Sequence, residues 1–353
     1  MLDWLELDQS DFFEKGRLVL SRLVYVVLFI CVGFNTSAFA ETYALLIGVS
    51  GYPSLPEARR LQGPSNDVGA LRAALLRKGM TPSHITTLAD GVLGSAALPT
   101  KLNILSHLAM QAQRAQLGDW VIVYFSGHGS QQPQRPVGQR WPDTYVEPDG
   151  LDEIFLPYDI GQWDGKKGQV QGALVDDEIG VTLARIIQKG AQVWAIFDTC
   201  HAGDMAKGRP TDPDAPALRY INPITLGIPI DALDAAGQTS KQFKSSTKKR
   251  ALPPSKVGQL VTFYASHPDE PASEEPLPPL TADGVTNSAT AVKRYFGLFT
   301  YLIAQALPTW NGSLRQLSDH VAAKYKIRPY PTPLFEGNLD QTPTFSKSAL
   351  TKP

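Results

Sequence analysis

The sequence WVIVYF at residues 120–125 is apolar throughout and stops at SGHG, residues 126–129. A second apolar run, VWAIF at residues 193–197, stops at DTCHAG, residues 198–203. Short continuous apolar runs that break at glycine are typical of buried parallel strands. Open α/β sheets carry their functional groups at the carboxyl ends of such strands. We therefore predict two strands whose C-terminal residues meet at one edge of a sheet.

Other segments alternate between strand and helix patterns along the chain. Strands are predicted at residues 43–49, 85–88, 152–157 and 260–266. Helices are predicted after Asn66-Asp67, around Leu102, Leu105 and Leu108, from Asp176-Asp177-Glu178 onwards, and at residues 296–307 and 313–325. This alternation predicts an α/β fold with a mainly parallel sheet that is covered by helices on both faces.

The composition of the 353 residues is that of an ordinary globular protein, with 43% hydrophobic and 19% charged residues. The formal net charge of −1 gives no reason to expect nucleic acid or an acidic surface as a partner. Residues 41–353 are predicted to form one domain. A long polar loop, rich in Pro, Asp, Ser and Lys, is predicted to interrupt this domain at about 204–258.

Residues 1–40 have the pattern of a secretory signal peptide. Basic residues precede an apolar run at residues 23–34, and Ala38-Phe39-Ala40 provides a cleavage site of the A-x-A type. This pattern predicts a secreted or periplasmic protein. The alternative is that the segment is retained as a membrane anchor, although its apolar run is short for spanning a bilayer.

The chain has two cysteines, and Cys31 lies in this leader. The mature chain would therefore carry Cys200 alone, without a partner for an internal disulfide. An unpaired thiol in a secreted domain indicates either a reactive group or a small buried side chain. The strand that ends near His128 favours the first interpretation, because a thiol nucleophile needs a base nearby.

Two histidines compete for the role of that base. His128 follows the first apolar strand, and His201 is the direct neighbour of Cys200. Consecutive side chains on extended backbone point to opposite faces, so we expect His201 to face away from the thiol. The remaining histidines do not have metal-ligand spacing and are interpreted as surface or structural residues: His84, His107, His267 and His320.

The ordered pair of motifs, YFSGHG at 124–129 and DTCHAG at 198–203, resembles the metacaspases, caspase-like cysteine peptidases of the C14 family. The resemblance extends through GPSND at 63–67 and DGLDE at 149–153 to FGLFTY at 296–301. It implies a caspase-like three-layer α/β/α sandwich. It also implies a cysteine endopeptidase that acts on polypeptides and needs no cofactor for its chemistry, in a protein that is usually monomeric.

The same resemblance implies roles for individual residues. Cys200 would be the nucleophile and His128 the base, and the backbone N–H groups of Gly129 and Cys200 would form the oxyanion hole. Asp67 and Asp198, with Ser126 at the rim, would select Arg or Lys before the scissile bond. The alternative is that Asp67 only caps a helix and Asp198 only stabilises a turn. Pro64 stands where the family usually has cysteine.

Many metacaspases bind calcium through acids that correspond to Asp176 and Asp177. A further ligand usually follows the cysteine motif, but Lys207 stands at that position here, and Asp204 could replace it only if the loop shifted. Calcium is therefore a possible activator. Alternatively, these acids only begin a helix, where they suit the positive end of its dipole.

The basic tract Lys248-Lys249-Arg250 lies in the predicted loop. It is either a solvated basic segment or a site of self-cleavage, since it matches the expected preference of the enzyme. Two other functions stay open at this point. One is a peptidase of the same clan with legumain-like or gingipain-like specificity, and the other is a catalytically silent binding module.

Overall fold

A computed structural model describes residues 40–135, 147, 149–200, 217–243, 258–267, 270–280, 292–325 and 331–345. The strands are β1 (Thr42–Gly48), β2 (Ile85–Ala89), β3 (Trp120–Ser126), β4 (Gly129–Pro133), β5 (Leu151–Phe155), β6 (Trp163–Asp164), β7 (Gln169–Val170), β8 (Leu174–Val175), β9 (Gln192–Asp198), β10 (Ala217–Leu218), β11 (Leu260–Tyr264), β12 (Ser273–Leu277), β13 (Arg294–Gly297) and β14 (Leu334–Gly337). The helices are α1 (Gly63–Arg77), α2 (Lys101–Arg114), α3 (Asp176–Gln188), α4 (Ile230–Phe243), α5 (Leu298–Ala306) and α6 (Leu314–Tyr325).

Six of these strands form the central sheet, in the order β14-β11-β9-β3-β1-β2. All neighbouring pairs are parallel except β11 and β14, which are antiparallel. Strands β3 and β9 are neighbours, and their register pairs Ser126 with Asp198. The two sequence motifs therefore leave the sheet side by side at its C-terminal edge.

Side chains that alternate along the strands fill two separate cores, one on each face of the sheet. Helices α2 and α3 pack on one core, which includes Val121 and Val123 of β3. Helices α1, α5 and α6 pack on the other, which includes Ile122 and Tyr124 of the same strand. Both faces are thus buried, which explains the uninterrupted apolar runs. The predicted three-layer α/β/α fold with a mainly parallel sheet is confirmed.

Two small sheets extend the C-terminal edge of the central sheet. One has the order β4-β5-β8 and begins at Gly129, directly after His128. The other has the order β10-β12-β13 and is antiparallel. Strand β13 leads directly into α5, so this second sheet is anchored to the helical layer.

Several details of the sequence prediction were wrong. Helix α1 begins at Gly63 and not at Asn66-Asp67. Leu102 is 73% exposed, and the buried face of α2 is formed instead by residues that include Ile104 and Leu108. The region predicted as a loop at 204–258 contains β10, a short 3-10 helix and α4. Propensity alone misses such elements because contacts distant in sequence stabilise them.

The leader, residues 1–40, lies outside the described residues except for Ala40, as do His201, Lys207 and the basic tract at 248–250. Among the described residues, no helix combines the length and the apolar character needed to cross a bilayer. The boundaries of the leader and of the domain stay predictions.

Candidate active site

Cys200 and His128 lie two residues beyond the ends of β9 and β3, and both are buried. Gly129 brings the two segments into contact, because a Cβ atom at this position would overlap the carbonyl oxygen of Cys200. Only glycine permits so close an approach of the two backbones. The residue after His128 must therefore be glycine for steric reasons.

The imidazole of His128 is held through one nitrogen only. Its Nε2 lies 2.7 Å from the carbonyl oxygen of Arg59. Because a carbonyl only accepts, Nε2 carries the hydrogen, and Nδ1 is left as the basic nitrogen. Within the described part of the chain, Nδ1 makes no hydrogen bond. Burial lowers the pKa of His128 to about 4, so the ring is neutral at pH 7.

Tyr52 supports the backbone of the same histidine. The hydroxyl of Tyr52 accepts a hydrogen bond from the His128 N–H at 2.7 Å and donates one to the Val49 carbonyl at 3.1 Å. The two rings pack with centroids 4.8 Å apart. Sequence reasoning missed Tyr52 and the Arg59 carbonyl, because neither position carries a motif.

The thiol of Cys200 is bound to the backbone of Ala272. The Ala272 N–H donates to Sγ at 2.8 Å, and Sγ donates to the Ala272 carbonyl at 3.3 Å. Burial raises the pKa of the thiol to about 12. Of the hydrogen bonds between described residues, none joins Sγ to the His128 ring. Cys200 and His128 are therefore both neutral at pH 7 and are not hydrogen-bonded to each other.

The three residues predicted to bind the substrate side chain are brought together. Ser126 Oγ donates to Asp67 Oδ2 at 2.9 Å, and the Gly297 N–H donates to Asp67 Oδ1 at the same distance. Asp198 Oδ2 accepts hydrogen bonds from the N–H and the hydroxyl of Thr300, at 3.1 and 2.5 Å. Asp67 lies five residues into the sequence of α1 and is buried in this cluster, so it is not the helix cap.

The guanidinium of Arg219 occupies the space between the two aspartates. Its Nη2 donates to Asp67 Oδ2 at 2.5 Å, and its Nη1 lies 2.8 Å from Asp198 Oδ1. Nη1 also donates to Ser126 Oγ at 3.0 Å and to the Asp198 carbonyl at 2.8 Å. Burial alone would lower the pKa of Arg219, but Asp198 and Asp67 outweigh it and raise this pKa well above its usual value. The pocket thus holds a fully buried, charged arginine from its own chain.

The backbone of Arg219 is bound as closely as its side chain. The Gly129 N–H donates to the Arg219 carbonyl at 2.9 Å, and the Arg219 N–H donates to the Ala272 carbonyl at 2.9 Å. One of the two predicted oxyanion donors therefore holds a peptide carbonyl. Sequence reasoning missed Arg219 because it lies in the region predicted as a loop. Its only signal is the apolar-basic-aromatic sequence Leu218-Arg219-Tyr220 within a polar segment.

A third acid and two glycines complete the walls of the pocket. Glu274 accepts hydrogen bonds from the N–H groups of Gln62 and Gly63, at 2.9 and 2.6 Å. A Cβ atom at Gly63 would lie 2.6 Å from Arg219 Nη2, and one at Gly297 would overlap Asp198 Oδ2. The pocket has room for a guanidinium only because neither position carries a side chain.

A separate acidic cluster includes one of the two predicted calcium ligands. Carboxylate oxygens of Glu147, Glu153 and Asp176 lie within 4.8 Å of one another. Burial and the neighbouring acids raise the pKa of Glu147 to about 9 and that of Glu153 to about 8. Asp177 is buried at the start of α3 and is not a member of this cluster among the described residues. The sequence signal for Glu153 is the DGLDE segment, whereas Glu147 had none.

The fold and this arrangement of side chains define a caspase-like α/β domain. A family model described as metacaspase, peptidase C14 domain, matches residues 43–207. Residues 43–207, just under half of the chain, are therefore similar to a metacaspase domain of the peptidase C14 family, in agreement with the resemblance found in the motifs.

Curated metacaspases are similar to part of this chain, and a solved structure shares its fold. Metacaspase-1 of Candida albicans is 31% identical over 162 residues, which cover 46% of this chain and 33% of the relative. Metacaspase-1B of Aspergillus clavatus is 32% identical over 161 residues, which cover 45% of this chain and 35% of the relative. The match thus spans about a third of the length of these relatives. The crystal structure of a Geobacter sulfurreducens protein shares the fold, with a TM-score of 0.54 at 19% identity, over 86% of this chain and 98% of that one.

Proposed function

We propose that this chain is a cysteine endopeptidase that cleaves polypeptides after Arg or Lys through Cys200 and His128. The observation that supports this most strongly is Arg219. Its side chain contacts Asp67 and Asp198 while its carbonyl accepts the Gly129 N–H. A substrate arginine bound in the same way would place its carbonyl oxygen at the Gly129 N–H, next to the backbone of Cys200.

The chemistry follows from the groups around that carbonyl. Nδ1 of His128 takes the proton of the thiol, and Sγ bonds to the carbonyl carbon. The Gly129 and Cys200 N–H groups stabilise the negative oxygen that forms. The C–N bond then breaks as Nδ1 gives its proton to the departing amine. Water hydrolyses the resulting thioester, which releases the new carboxylate and restores the thiol.

The two aspartates favour a basic residue before the scissile bond. A guanidinium can meet both carboxylates at once, whereas the single ammonium of lysine makes fewer contacts, so arginine is expected to be preferred. An acidic side chain would be repelled by both aspartates. This argues against cleavage after Asp.

The test is a panel of fluorogenic peptides that end in Arg, Lys, Asn or Asp, with Cys200→Ala as the blank. We expect the fastest turnover with Arg, then Lys, and none above the blank with Asp. Turnover of the Asn peptide instead would indicate a legumain-like enzyme. Absence of turnover on every peptide, together with a Cys200 thiol that resists an alkylating reagent, would favour the silent binding module.

We propose that the protein is secreted or exported to the periplasm, as the leader indicates. We also propose that the enzyme is a monomer, as expected from the resemblance to metacaspases. Sequencing the N-terminus of the exported protein tests cleavage after Ala40. Retention of the full leader in a membrane fraction would favour the anchor instead. Size-exclusion chromatography at several concentrations tests the monomer.

We also propose that Glu147, Glu153 and Asp176 bind Ca²⁺. Their hard oxygen donors suit this ion. The raised pKa values reflect burial and, in addition, a crowding of like charges that a cation would relieve. Three carboxylates leave further positions to backbone carbonyls or water. The ion would stabilise the loop around these acids and would take no part in proton transfer or bond cleavage.

The raised pKa values give the calcium proposal a pH dependence. At pH 6 the carboxyl groups of Glu147 and Glu153 hold protons in the folded state. At pH 9 the carboxyl group of Glu153 is largely ionised and that of Glu147 is about half ionised, so the two repel each other. We therefore expect Ca²⁺ to raise the melting temperature of Cys200→Ala protein at pH 9 more than at pH 6. Asp176→Asn should abolish this shift and the exposed Asp340→Asn should retain it; equal shifts in the two variants would exclude this site.

Two glycines of helix α1 test the pocket by a matched pair of substitutions. The side chain of Gly63→Ala would fill the space beside Glu274, whereas a Cβ atom at Gly69 meets no atom within 4 Å. We expect Gly63→Ala to lower kcat/KM for the Arg peptide by about 10²-fold, the effect of misplacing a substrate by about 1 Å. Gly69→Ala should retain wild-type activity. An equal loss in both variants would point to a general effect on α1.

A further inference from the structure

We infer that residues 217–220 are a substrate built into the chain, and that the Arg219–Tyr220 peptide bond is the first that the enzyme cleaves in itself. This inference rests on the proposed function. It assigns a cleavage site that lies apart from the basic tract at 248–250.

The segment is bound as an added strand. Strand β10 pairs antiparallel with β12, with Ala217 opposite Glu274 and Leu218 opposite Ser273. The Arg219 N–H continues the ladder to the Ala272 carbonyl at 2.9 Å. Addition of an extended peptide to a sheet edge is a common mode of peptide recognition, in which the backbone supplies affinity and side-chain pockets supply specificity.

The side chain of Arg219 supplies that specificity. It is completely buried, and burial of a charge is costly unless ionic partners and hydrogen bonds compensate for it. Asp67, Asp198 and Ser126 provide this compensation.

The peptide bond that follows lies at the reacting groups. The Arg219 carbonyl accepts the Gly129 N–H on one side. On the other side Ala272 links Arg219 to the thiol, because its carbonyl accepts hydrogen bonds from both the Arg219 N–H, at 2.9 Å, and Cys200 Sγ, at 3.3 Å. The Ile221 N–H donates to the Gly129 carbonyl at 3.0 Å, so the chain is bound on both sides of the Arg219–Tyr220 bond.

Cleavage would proceed as for any substrate. The Cys200 Sγ bonds to the Arg219 carbonyl carbon, and the bond to the Tyr220 nitrogen breaks as His128 gives that nitrogen a proton. Water then hydrolyses the Arg219 thioester, leaving a carboxylate on Arg219 and an amine on Tyr220. No other reactant is needed.

The intact segment would also block the site. A tethered occupant competes at an effective concentration of the order of millimolar, far above most free peptides. Cleavage leaves residues 201–219 attached only through Cys200, so Arg219 can leave the pocket. Activity on added peptides should therefore begin with a lag that ends as the chain is cut.

The test follows the full-length wild-type chain beside Cys200→Ala by intact mass and by sequencing the N-terminus of any new fragment. We expect a fragment that begins at Tyr220, formed at a rate that does not change over about a tenfold dilution, and an intact Cys200→Ala chain. A first cut after Lys248, Lys249 or Arg250 would overturn the inference, as would a rate that rises with protein concentration. This test uses only the wild-type and Cys200→Ala chains, so it does not depend on the folding of an Arg219 variant.

Variants at Arg219 separate this inference from the proposed function. Arg219→Lys should still be cut, more slowly, and Arg219→Gln should stay uncut at this bond and hydrolyse the Arg peptide without a lag. The control, Arg294→Gln, changes an exposed arginine of the same small sheet and should behave as the wild type. Peptide hydrolysis without a cut after Arg219 overturns the inference alone, whereas a chain that neither cuts itself nor hydrolyses any peptide overturns both.

Discussion

Replacing Cys200 with alanine is expected to reduce hydrolysis of the Arg peptide to the background, a loss of about 10⁶-fold if this pair resembles a serine protease in its energetics. His128→Ala should cost about 10²–10⁴-fold, the usual contribution of a general base. The difference arises because Cys200 forms the covalent bond, whereas solvent can partly replace a proton acceptor. The measurement is kcat/KM for each variant in the Arg219→Gln background, where hydrolysis of the peptide is expected without a prior cut.

His201→Ala provides the matched control for the His128 variant. His201 is next to Cys200 in sequence, whereas His128 is 72 residues away. Among the described residues, Nδ1 of His128 makes no hydrogen bond. We expect His201→Ala to keep most of the activity. If His201→Ala were inactive and His128→Ala active, the base would have been assigned to the wrong histidine.

The reactivity of the Cys200 thiol is expected to change when the chain is cut. In the uncut chain the pKa of Cys200 is raised to about 12 and that of His128 is lowered to about 4, so both groups are neutral at pH 7. Departure of Arg219 would admit water, which lowers the first pKa and raises the second. Alkylation of Cys200 at pH 7 should therefore be slow before the cut and faster after it.

The positions of His128 and Cys200 could be predicted because they follow from the strand pattern. Two apolar runs that stop at glycine-containing motifs predict neighbouring parallel strands, and this places His128 and Cys200 at one sheet edge. The layers followed in the same way, since strands without polar alternation need helices on both faces. These features depend on local sequence and on the general geometry of parallel sheets.

The contents of the pocket could not be predicted because they depend on contacts between distant segments. Arg219 reaches Asp67 across 152 residues, and Glu274 reaches Gly63 across 211. A polar, proline-rich region gives no periodic signal for a two-residue strand such as β10, since its pairing with β12 and not its propensity stabilises it. Likewise, Glu147 became a candidate ligand only when the fold brought it to Asp176.

The buried ion pair between Arg219 and Asp67 gives the second large effect, which is on stability. Asp67→Asn in a Cys200→Ala background, where the chain stays uncut, leaves the guanidinium with Asp198 as its nearest remaining carboxylate. Removing one partner of a buried pair typically costs about 3–5 kcal/mol, because a desolvated charge loses its compensation. We expect a loss of this size in the free energy of unfolding, measured in urea.

A double-mutant cycle then decides whether the cost belongs to the pair. Asp67 also accepts hydrogen bonds from Ser126 and Gly297, and the Asp67→Asn substitution would weaken part of these in any background. If Arg219 is the principal partner, Asp67→Asn should lower the free energy of unfolding much less when Arg219→Gln is already present. In that background there is no buried guanidinium that could lose its partner. Asp340→Asn, which breaks the exposed pair with Arg315, should change stability little in either background. Equal costs of Asp67→Asn with and without Arg219 would mean that the aspartate supports the pocket walls independently of any cation, and the case for selection of basic side chains would then lose its main electrostatic support.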